Sequence, residues 1–389
     1  MKKVLLITNR LVTGGPSRHV AMLAKGLEQD YEVLVVGGSA AAGEEKAVEL
    51  FSGLKNPPVL IPELNRKVSI SRDFSTYRKL RNIIRDFQPD IVHTHTSKVG
   101  ALGRRAAGKE GVKRIIHTFH GLLFEHYFNP AFSQMLMRLE RRLAKNTDVL
   151  IALSGSQKKE LTEKYRIASE HKVAVVSLGI EPDDFAPDAA LRAAFRREHF
   201  LDDNCIAIGI VGRLAAIKNV AFFIDGIAEL QRQISLNIKA FVIGGGAEKE
   251  KLIKYARSKS LRTVLDKPGD ADFNICFCGW ANDLKFVYSG LDILALTSLA
   301  EGTPMSLMEA QLAAKPIVAA RVGGVADVTD KQTTLLFEKG DLRAFVENLQ
   351  KLASSPQVRK IMGERAMAFA REKFSKARML QEIKDLYEK

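Results

Sequence analysis

The chain has 389 residues, 46% hydrophobic and 27% charged, with a formal net charge of +14. Single hydrophobic cores stop growing near ~250–300 residues, so this length predicts two domains, and no stretch approaches the ~20 apolar residues that a bilayer span requires. Three cysteines (Cys205, Cys276, Cys278) are an odd number in a long chain and argue against a disulfide scaffold, and the apolar run after Met1-Lys2-Lys3 stops at Asn9-Arg10, too short for a secretory h-region, so a cytoplasmic protein is expected.

In chain order, the first predicted strand is Val4–Thr8, apolar on both faces as parallel strands covered by helices are. Thr13-Gly14-Gly15-Pro16-Ser17-Arg18-His19 follows it and leads into a predicted helix, Ser17–Asp30. Gly14 and Gly15 let backbone approach a ligand closely, and a helix N-terminus favours an anion. No G-x-G-x-x-G is present, which disfavours nicotinamide binding. Strands at Glu32–Gly37, Ile91–Thr94, Arg114–Thr118, Val149–Ala152 and Val173–Ser177 alternate with helices at Phe74–Phe87, Ala131–Lys145 and Ser154–Tyr165. Ser154 suits the last of these as its N-cap. Such alternation predicts a doubly wound α/β domain.

Residues 66–114 hold 13 Lys and Arg against 4 Asp and Glu. Within them Arg72, Arg78, Lys79, Arg81 and Arg85 crowd a helical stretch whose Tyr77, Leu80, Ile84 and Phe87 fall along one side, a pattern for packing on the sheet. Only Asp73 and Asp86 lie in that stretch to pair with the cations. Basic residues near an anionic surface contribute roughly 1 kcal/mol each, so this face is expected on the inner leaflet of the cell membrane, the protein being peripheral there. With only Phe74, Tyr77 and Phe87 as aromatics and no recognised motif, nucleic acid is not an expected partner. His93 and His95 end one strand, and His117 and His120 the next. No Asp, Glu or Cys joins them at ligand spacing, so no metal is expected. His120, before Gly121, is the histidine best placed to hydrogen-bond a sugar hydroxyl or an acceptor.

The stretch Gly179–Pro187, with two prolines and three acids, reads as a linker. Alternation then restarts with strands at Ile206–Val211, Ile238–Ile243, Ile275–Phe277, Ile293–Leu296 and Pro316–Ala319 and helices such as Val220–Arg232 and Met305–Ala314, and residues 356–388 read as two amphipathic helices broken near Phe374-Ser375. Two such domains would place the carboxyl ends of their sheets opposite each other, with ligands in the cleft between. After the strand at Ile206–Val211 come Gly212, Arg213 and Lys218, a guanidinium fork and a point charge able to neutralise a diphosphate without a metal. After Ile293–Leu296 comes Ser298-Leu299-Ala300-Glu301-Gly302-Thr303-Pro304-Met305-Ser306-Leu307-Met308-Glu309-Ala310. Its Gly-Thr-Pro turn opens a helix whose free N–H groups suit a phosphate. Glu301 before the helix and Glu309 inside it can reach different hydroxyls of one ligand.

With these pieces in order, the chain resembles the retaining glycosyltransferases of family 4, which have the GT-B fold of two Rossmann-like doubly wound domains facing an interdomain cleft. The resemblance rests on Gly14-Gly15, Asp90-Ile91-Val92-His93, His120-Gly121, Gly212-Arg213 with Lys218, Gly244-Gly245-Gly246, Phe277-Cys278-Gly279, Glu301 and Glu309. It departs at the middle glycine of that Gly244 turn, where the family commonly has aspartate, and at Ala326-Asp327, where Pro-Glu is common.

The resemblance implies a transferase moving a hexose or N-acetylhexosamine from a nucleotide-sugar, UDP-sugar foremost, to a glycan or lipid-linked acceptor in cell-surface polysaccharide synthesis. A nucleotide-sugar 2-epimerase of similar architecture is the alternative. Arg213 and Lys218 would bind the diphosphate, Glu309 the ribose, and Glu301 and His120 the sugar; no cofactor is implied. Gly14, Gly15, Gly244, Phe277, Gly279, Trp280, Gly302, Thr303, Met305, Ser306 and Leu307 would complete the donor contacts, the Phe277–Trp280 stretch holding the base largely through backbone. The domains would be 1–184, with the helix 375–389 packing back on it, and 185–374.

Overall fold

The computed structural model describes residues 1–12, 14–40, 48–64, 69–122, 124 and 129–389; Thr13 of the first glycine loop and Arg66 and Lys67 of the basic segment lie outside them. The chain divides into two compact units, residues 1–179 with 377–389 and residues 180–376.

In the first unit the order is β1 (Lys3–Arg10), α1 (Gly15–Leu27), β2 (Glu32–Gly38), β3 (Val59–Leu60), α2 (Ile70–Phe87), β4 (Ile91–His95), α3 (Ser97–Lys109), β5 (Arg114–Phe119), α4 (Pro130–Lys145), β6 (Val149–Ala152), α5 (Gly155–Lys159) and β7 (Val173–Val175). The seven strands form a parallel sheet in the order β3-β2-β1-β4-β5-β6-β7. Its two faces are filled separately. Val4, Leu6, Val33 and Val35 meet α1 residues such as Val20 and Leu23, together with Met379, Ile383 and Tyr387 from the end of the chain. Leu5, Ile7, Val36 and Val92 meet Leu80 and Ile84 of α2 and Ala106 of α3. The helix expected across Ser154–Tyr165 starts as read, with Ser154 Oγ accepting from the Gln157 N–H at 3.1 Å, but it changes to a wider π turn at Glu160–Lys164.

The second unit runs α6 (Ala189–Glu198), β8 (Ile206–Val211), α7 (Val220–Gln233), β9 (Ile238–Ile243), α8 (Lys249–Ser258), β10 (Thr263–Leu265), β11 (Ile275–Gly279), α9 (Leu284–Gly290), β12 (Ile293–Leu296), α10 (Met305–Leu312), β13 (Ile317–Ala320), β14 (Thr334–Phe337), α11 (Leu342–Ser354) and α12 (Pro356–Lys373). Its parallel sheet has the order β10-β11-β9-β8-β12-β13-β14. Phe223, Ile224 and Ile227 of α7 and Phe345 and Leu349 of α11 pack over Ile208, Ile210 and Val242. The last helix, α13 (Lys376–Glu388), lies almost wholly in the first unit. There Tyr31 donates to Glu388 at 2.9 Å and Lys384 pairs with Asp30 at 2.5 Å.

The unit boundaries fall at 179/180 and 376/377, where sequence reading put 184/185 and 374/375. Backbone pairing accounts for the difference: Ile180 bridges Ser375, donates to the Phe374 carbonyl at 2.8 Å and accepts from the Lys376 N–H at 3.1 Å.

Each sheet reverses its strand order near its middle, between β1 and β4 in the first unit and between β8 and β12 in the second. Loops leaving the carboxyl ends of such a pair diverge and leave a crevice.

Candidate functional site

In the second unit the crevice is lined by Ile210, Val211, Gly212, Arg213, Lys218 and Ser298, among others. The two loops around it are stitched together. Leu299 donates its N–H to the Ile217 carbonyl at 2.8 Å, and Thr297 Oγ1 donates to the Asn219 carbonyl at 3.0 Å. Lys218 reaches Glu301 Oε1 with its Nζ at 2.5 Å, and Ser298 Oγ donates to the same oxygen at 2.5 Å. An ammonium carries three N–H donors, so Lys218 keeps capacity for a further anion, and Glu301 Oε2 stands outside both bonds. Arg213 is exposed, and its guanidinium makes no hydrogen bond or ion pair with any described residue. An unpartnered guanidinium beside a half-buried Lys–Glu pair is a ready receptor for a planar or tetrahedral anion.

Glycine-for-backbone contacts hold this arrangement. A methyl group on Gly244 would overlap the Gly212 carbonyl oxygen, and one on Gly246 would overlap that of Leu214, so the Gly244–Gly246 turn lies against the Gly212–Leu214 loop with no room for a side chain. Leu214 donates to the Gly245 carbonyl at 2.8 Å. Gly323, at φ +47°, likewise sits against the Glu301 carbonyl, and Gly324 donates to that oxygen at 3.1 Å.

Helix α10 begins at Met305, after Pro304 as N-cap. The first N–H groups of a helix have no acceptor within it, and here those of Met305 and Ser306 head the turn beside half-buried Gly302 and Thr303. Glu309, read as the ribose acceptor, is only 4% exposed. Its Oε2 accepts from the buried Tyr288 hydroxyl at 2.8 Å, a partner one helix away in sequence with no local signal to announce it.

Two residues expected to touch the donor do not offer side chains to it. Phe277 is 1% exposed inside the sheet, and its carbonyl accepts the Asp266 N–H at 2.9 Å. Leu307 is fully buried and its N–H donates to the Pro304 carbonyl at 3.2 Å. Strand alternation and helix packing turn both inward. Past Phe277, Gly279 is left-handed at φ +70° and Trp280 is 47% exposed, its indole edge over Gly245.

In the first unit, the loops after β1, β4 and β5 bring His19, His95 and His120 together. Half-buried Gly14 and Gly15 open α1, which carries His19. His95 Nδ1 stands 3.1 Å from His120 Nε2, and the His19 ring centroid is 5.6 and 5.1 Å from theirs. His93 bonds Tyr387 and Thr118, both at 2.7 Å, and His117 bonds Thr94 at 2.8 Å. Burial disfavours the charged imidazolium, holding His19 at about 4, His93 at about 3, and His95, His117 and His120 well below their ordinary value. The sequence reading left His19 out of the group because it lies on α1, far before His93 in the chain, and only the fold brings it to the other rings.

The basic face of α2 differs from expectation. Lys79 pairs with Glu63 at 2.5 Å, and Arg81 and Arg85 both bind Glu110, Arg85 at 2.7 Å. The acids sit outside the helix, 16 to 29 residues away, where a count within the helix could not find them. Arg72 and Arg78 remain exposed without an ion pair among the described residues.

Two family profiles divide the chain, Glycosyltransferase Family 4 over residues 13–184 and Glycosyl transferases group 1 over residues 206–355. The chain is 29% identical over 330 residues to the UDP-Gal:alpha-D-GlcNAc-diphosphoundecaprenol alpha-1,3-galactosyltransferase of Escherichia coli, covering 84% of this chain and 82% of that protein. It is 25% identical over 331 residues to the capsular polysaccharide biosynthesis glycosyltransferase CapM of Staphylococcus aureus, covering 83% of each. HepE of Anabaena, solved in complex with UDP, aligns over 98% of both chains with a TM-score of 0.79 at 19% identity. With both profiles in order along two seven-stranded parallel sheets, the chain belongs to the family 4 glycosyltransferases and has the GT-B fold.

Proposed function

We propose that this glycosyltransferase moves a hexose or N-acetylhexosamine from a UDP-sugar to a lipid-linked or glycan acceptor, with retention, in cell-surface polysaccharide synthesis. The observation that carries the reading is the unpartnered Arg213 beside the Lys218–Glu301 pair, at the crevice where β8 and β12 diverge. Uridine as the base is supported by the UDP-Gal donor of the Escherichia coli relative and by UDP in HepE. That relative's diphosphoundecaprenol substrate supports a lipid-linked acceptor. Arg213, Lys218 and the start of α10 stabilise the leaving diphosphate, Glu309 takes the ribose hydroxyls, and Glu301 and His120 take sugar hydroxyls. The acceptor hydroxyl attacks from the face the diphosphate leaves, and a leaving phosphate oxygen takes its proton, so no protein nucleophile is used. Two fixed cations offset the diphosphate charge without a metal.

The test is a panel of UDP- and GDP-sugars, followed by turnover of the bound donor with a polyprenyl-diphosphate-linked sugar in the presence of a chelator. A UDP-sugar should bind and yield a product of unchanged anomeric configuration. Binding of GDP-sugars alone overturns the base, inversion overturns retention, loss of activity in chelator overturns the metal-free mechanism, and epimerised donor without acceptor establishes the 2-epimerase instead.

Membrane association rests on a narrower surface than the whole basic helix. Ile70 (89% exposed) and Phe74 (60% exposed) are four residues apart on α2, flanked by the unpaired Arg72 and Arg78. Apolar side chains that enter an interface beside guanidiniums suit an anionic leaflet. Sedimentation with phosphatidylserine vesicles should be lost in Phe74→Ser/Arg72→Glu/Arg78→Glu. Failure of the wild-type chain to sediment at low salt would make the acceptor a soluble one.

A further inference from the structure

At the switch point of the first sheet, polar atoms gather that no protein group satisfies. Both ring nitrogens of His19 and Nε2 of His95 are buried without a hydrogen-bond partner among the described residues. A buried polar group left unpaired costs about 1–3 kcal/mol, and a neutral imidazole with neither nitrogen engaged is a double case. The same rings converge: one nitrogen from each of His19, His95 and His120 lies within 4.8 Å of the others. His95 Nδ1 and His120 Nε2 share a hydrogen bond at 3.1 Å, close to the ~3.3 Å that separates two ligands on a tetrahedral ion with metal–nitrogen bonds of about 2.0–2.1 Å, so an ion would take the place of the proton between them.

We propose that His19, His95 and His120 form a binding site for one borderline transition-metal ion, Zn2+ foremost, with a fourth position open. The donor set decides the class. Three imidazoles without a carboxylate suit zinc, cobalt, nickel or copper and are poor ligands for magnesium or calcium. Binding needs imidazole nitrogens not engaged by other groups, and both ring nitrogens of His19 meet that condition among the described residues. Three elements supply the ligands, α1, the end of β4 and the loop after β5, so the ion would tie the loops at the switch point together. Ligation also removes the His120 lone pair from any hydroxyl. This second part rests on the proposed role of His120, and it makes the ion an inhibitor rather than a cofactor.

The experiment titrates the untagged full chain with Co2+ and follows visible absorption, then displaces the cobalt with Zn2+. One equivalent should give the intense visible bands of a low-coordinate nitrogen site, without the thiolate charge-transfer band that Cys276 and Cys278 would add. Cys278→Ser should bind as the wild type does. His120→Ala, the least buried ligand and so the mildest for the fold, should lower affinity roughly tenfold or more, as should His19→Gln with an unchanged circular dichroism spectrum. Octahedral cobalt only, a thiolate band, or equal affinity in both histidine variants overturns the site. Tight binding with unchanged turnover in one equivalent of Zn2+ overturns the inhibition while leaving the site, and the donor panel reports separately on the transfer reaction.

Discussion

Arg213 is exposed and unpaired while Lys218 is half-buried and bonded to Glu301, so the two cations should differ on substitution. Removing one preorganised charge-stabilising donor commonly costs about 10²–10³ in turnover. Arg213→Ala should lose at least ~10²-fold in kcat with an unchanged melting temperature. Lys218→Ala should lose as much activity and also destabilise the loop, because Glu301 is left 10% exposed without its cation. Unchanged kcat and KM in either variant would place that residue outside the diphosphate site. Glu309→Ala should raise the donor KM, and Tyr288→Phe should raise it less, by ~3–10-fold, since one hydrogen bond to a charged group contributes about 1.5–3 kcal/mol, partly replaceable by reorientation. Equal KM in Tyr288→Phe and wild type would show that Tyr288 does not orient the carboxylate. Arg213, Lys218 and Glu301, which the fold brings to one crevice, could be singled out because glycine turns after apolar strands mark where a ligand can approach. Tyr288 and His19 were not, since tertiary folding alone brings them to the site. Phe277 and Leu307 keep their side chains buried, a matter of which face of a strand or helix each occupies, and runs that short do not say which.

Among the elements, strands buried on both faces announced themselves as apolar runs, while β3 and β10 escaped reading because edge strands of two and three residues carry no periodicity. Helix α3 escaped for a different reason. It contains Gly100, Gly103 and Gly108, and glycine is a poor helix former. Yet a methyl group on Gly100 would press on the His117 ring, and one on Gly103 would come to 2.8 Å from Thr94 Cγ2, so the glycines let the helix lie close on the sheet. The same logic governs the donor loops and can be tested at Gly244, which has φ +135° and the Gly212 carbonyl against it. Gly244→Ala should cost about 1–3 kcal/mol and shift the Gly212–Leu214 loop, so melting temperature and donor affinity fall together. Gly269→Ala, with open space around it, should change neither. Undiminished donor affinity in Gly244→Ala would mean that the loop is positioned by something else.

For the whole molecule, the buried histidines set a pH limit. A histidine with pKa about 4 when folded and 6.5 when unfolded takes up its proton mainly on unfolding, so stability is full above pH ~6.5 and is lost as pH falls toward the folded value. His93 acts in the same sense down to about 3, and His95, His117 and His120 share the direction. Each unmatched proton contributes a slope of about 1.4 kcal/mol per pH unit. The melting temperature should therefore be flat above pH 7 and fall steeply between pH 6.5 and 4, and a flat profile down to pH 5 would contradict neutral burial. The two-domain plan was legible from the proline-rich linker, but its edges were not, because Ile180 pairs with Ser375, nearly two hundred positions away. The return of α13 to the first unit also has a consequence during synthesis. Met379, Ile383 and Tyr387 cover the face of the first sheet that holds Val4, Leu6 and Ile116, and they are made only after residues 180–376. At ~5–20 residues per second, the first unit waits on the order of 10–40 s for residues 180–376 to be translated before it can close. A nascent chain stalled anywhere in the second unit would present that apolar face to chaperones, and a ribosome-bound chain ending near residue 370 should be captured by them more strongly than a released chain that includes residues 377–389.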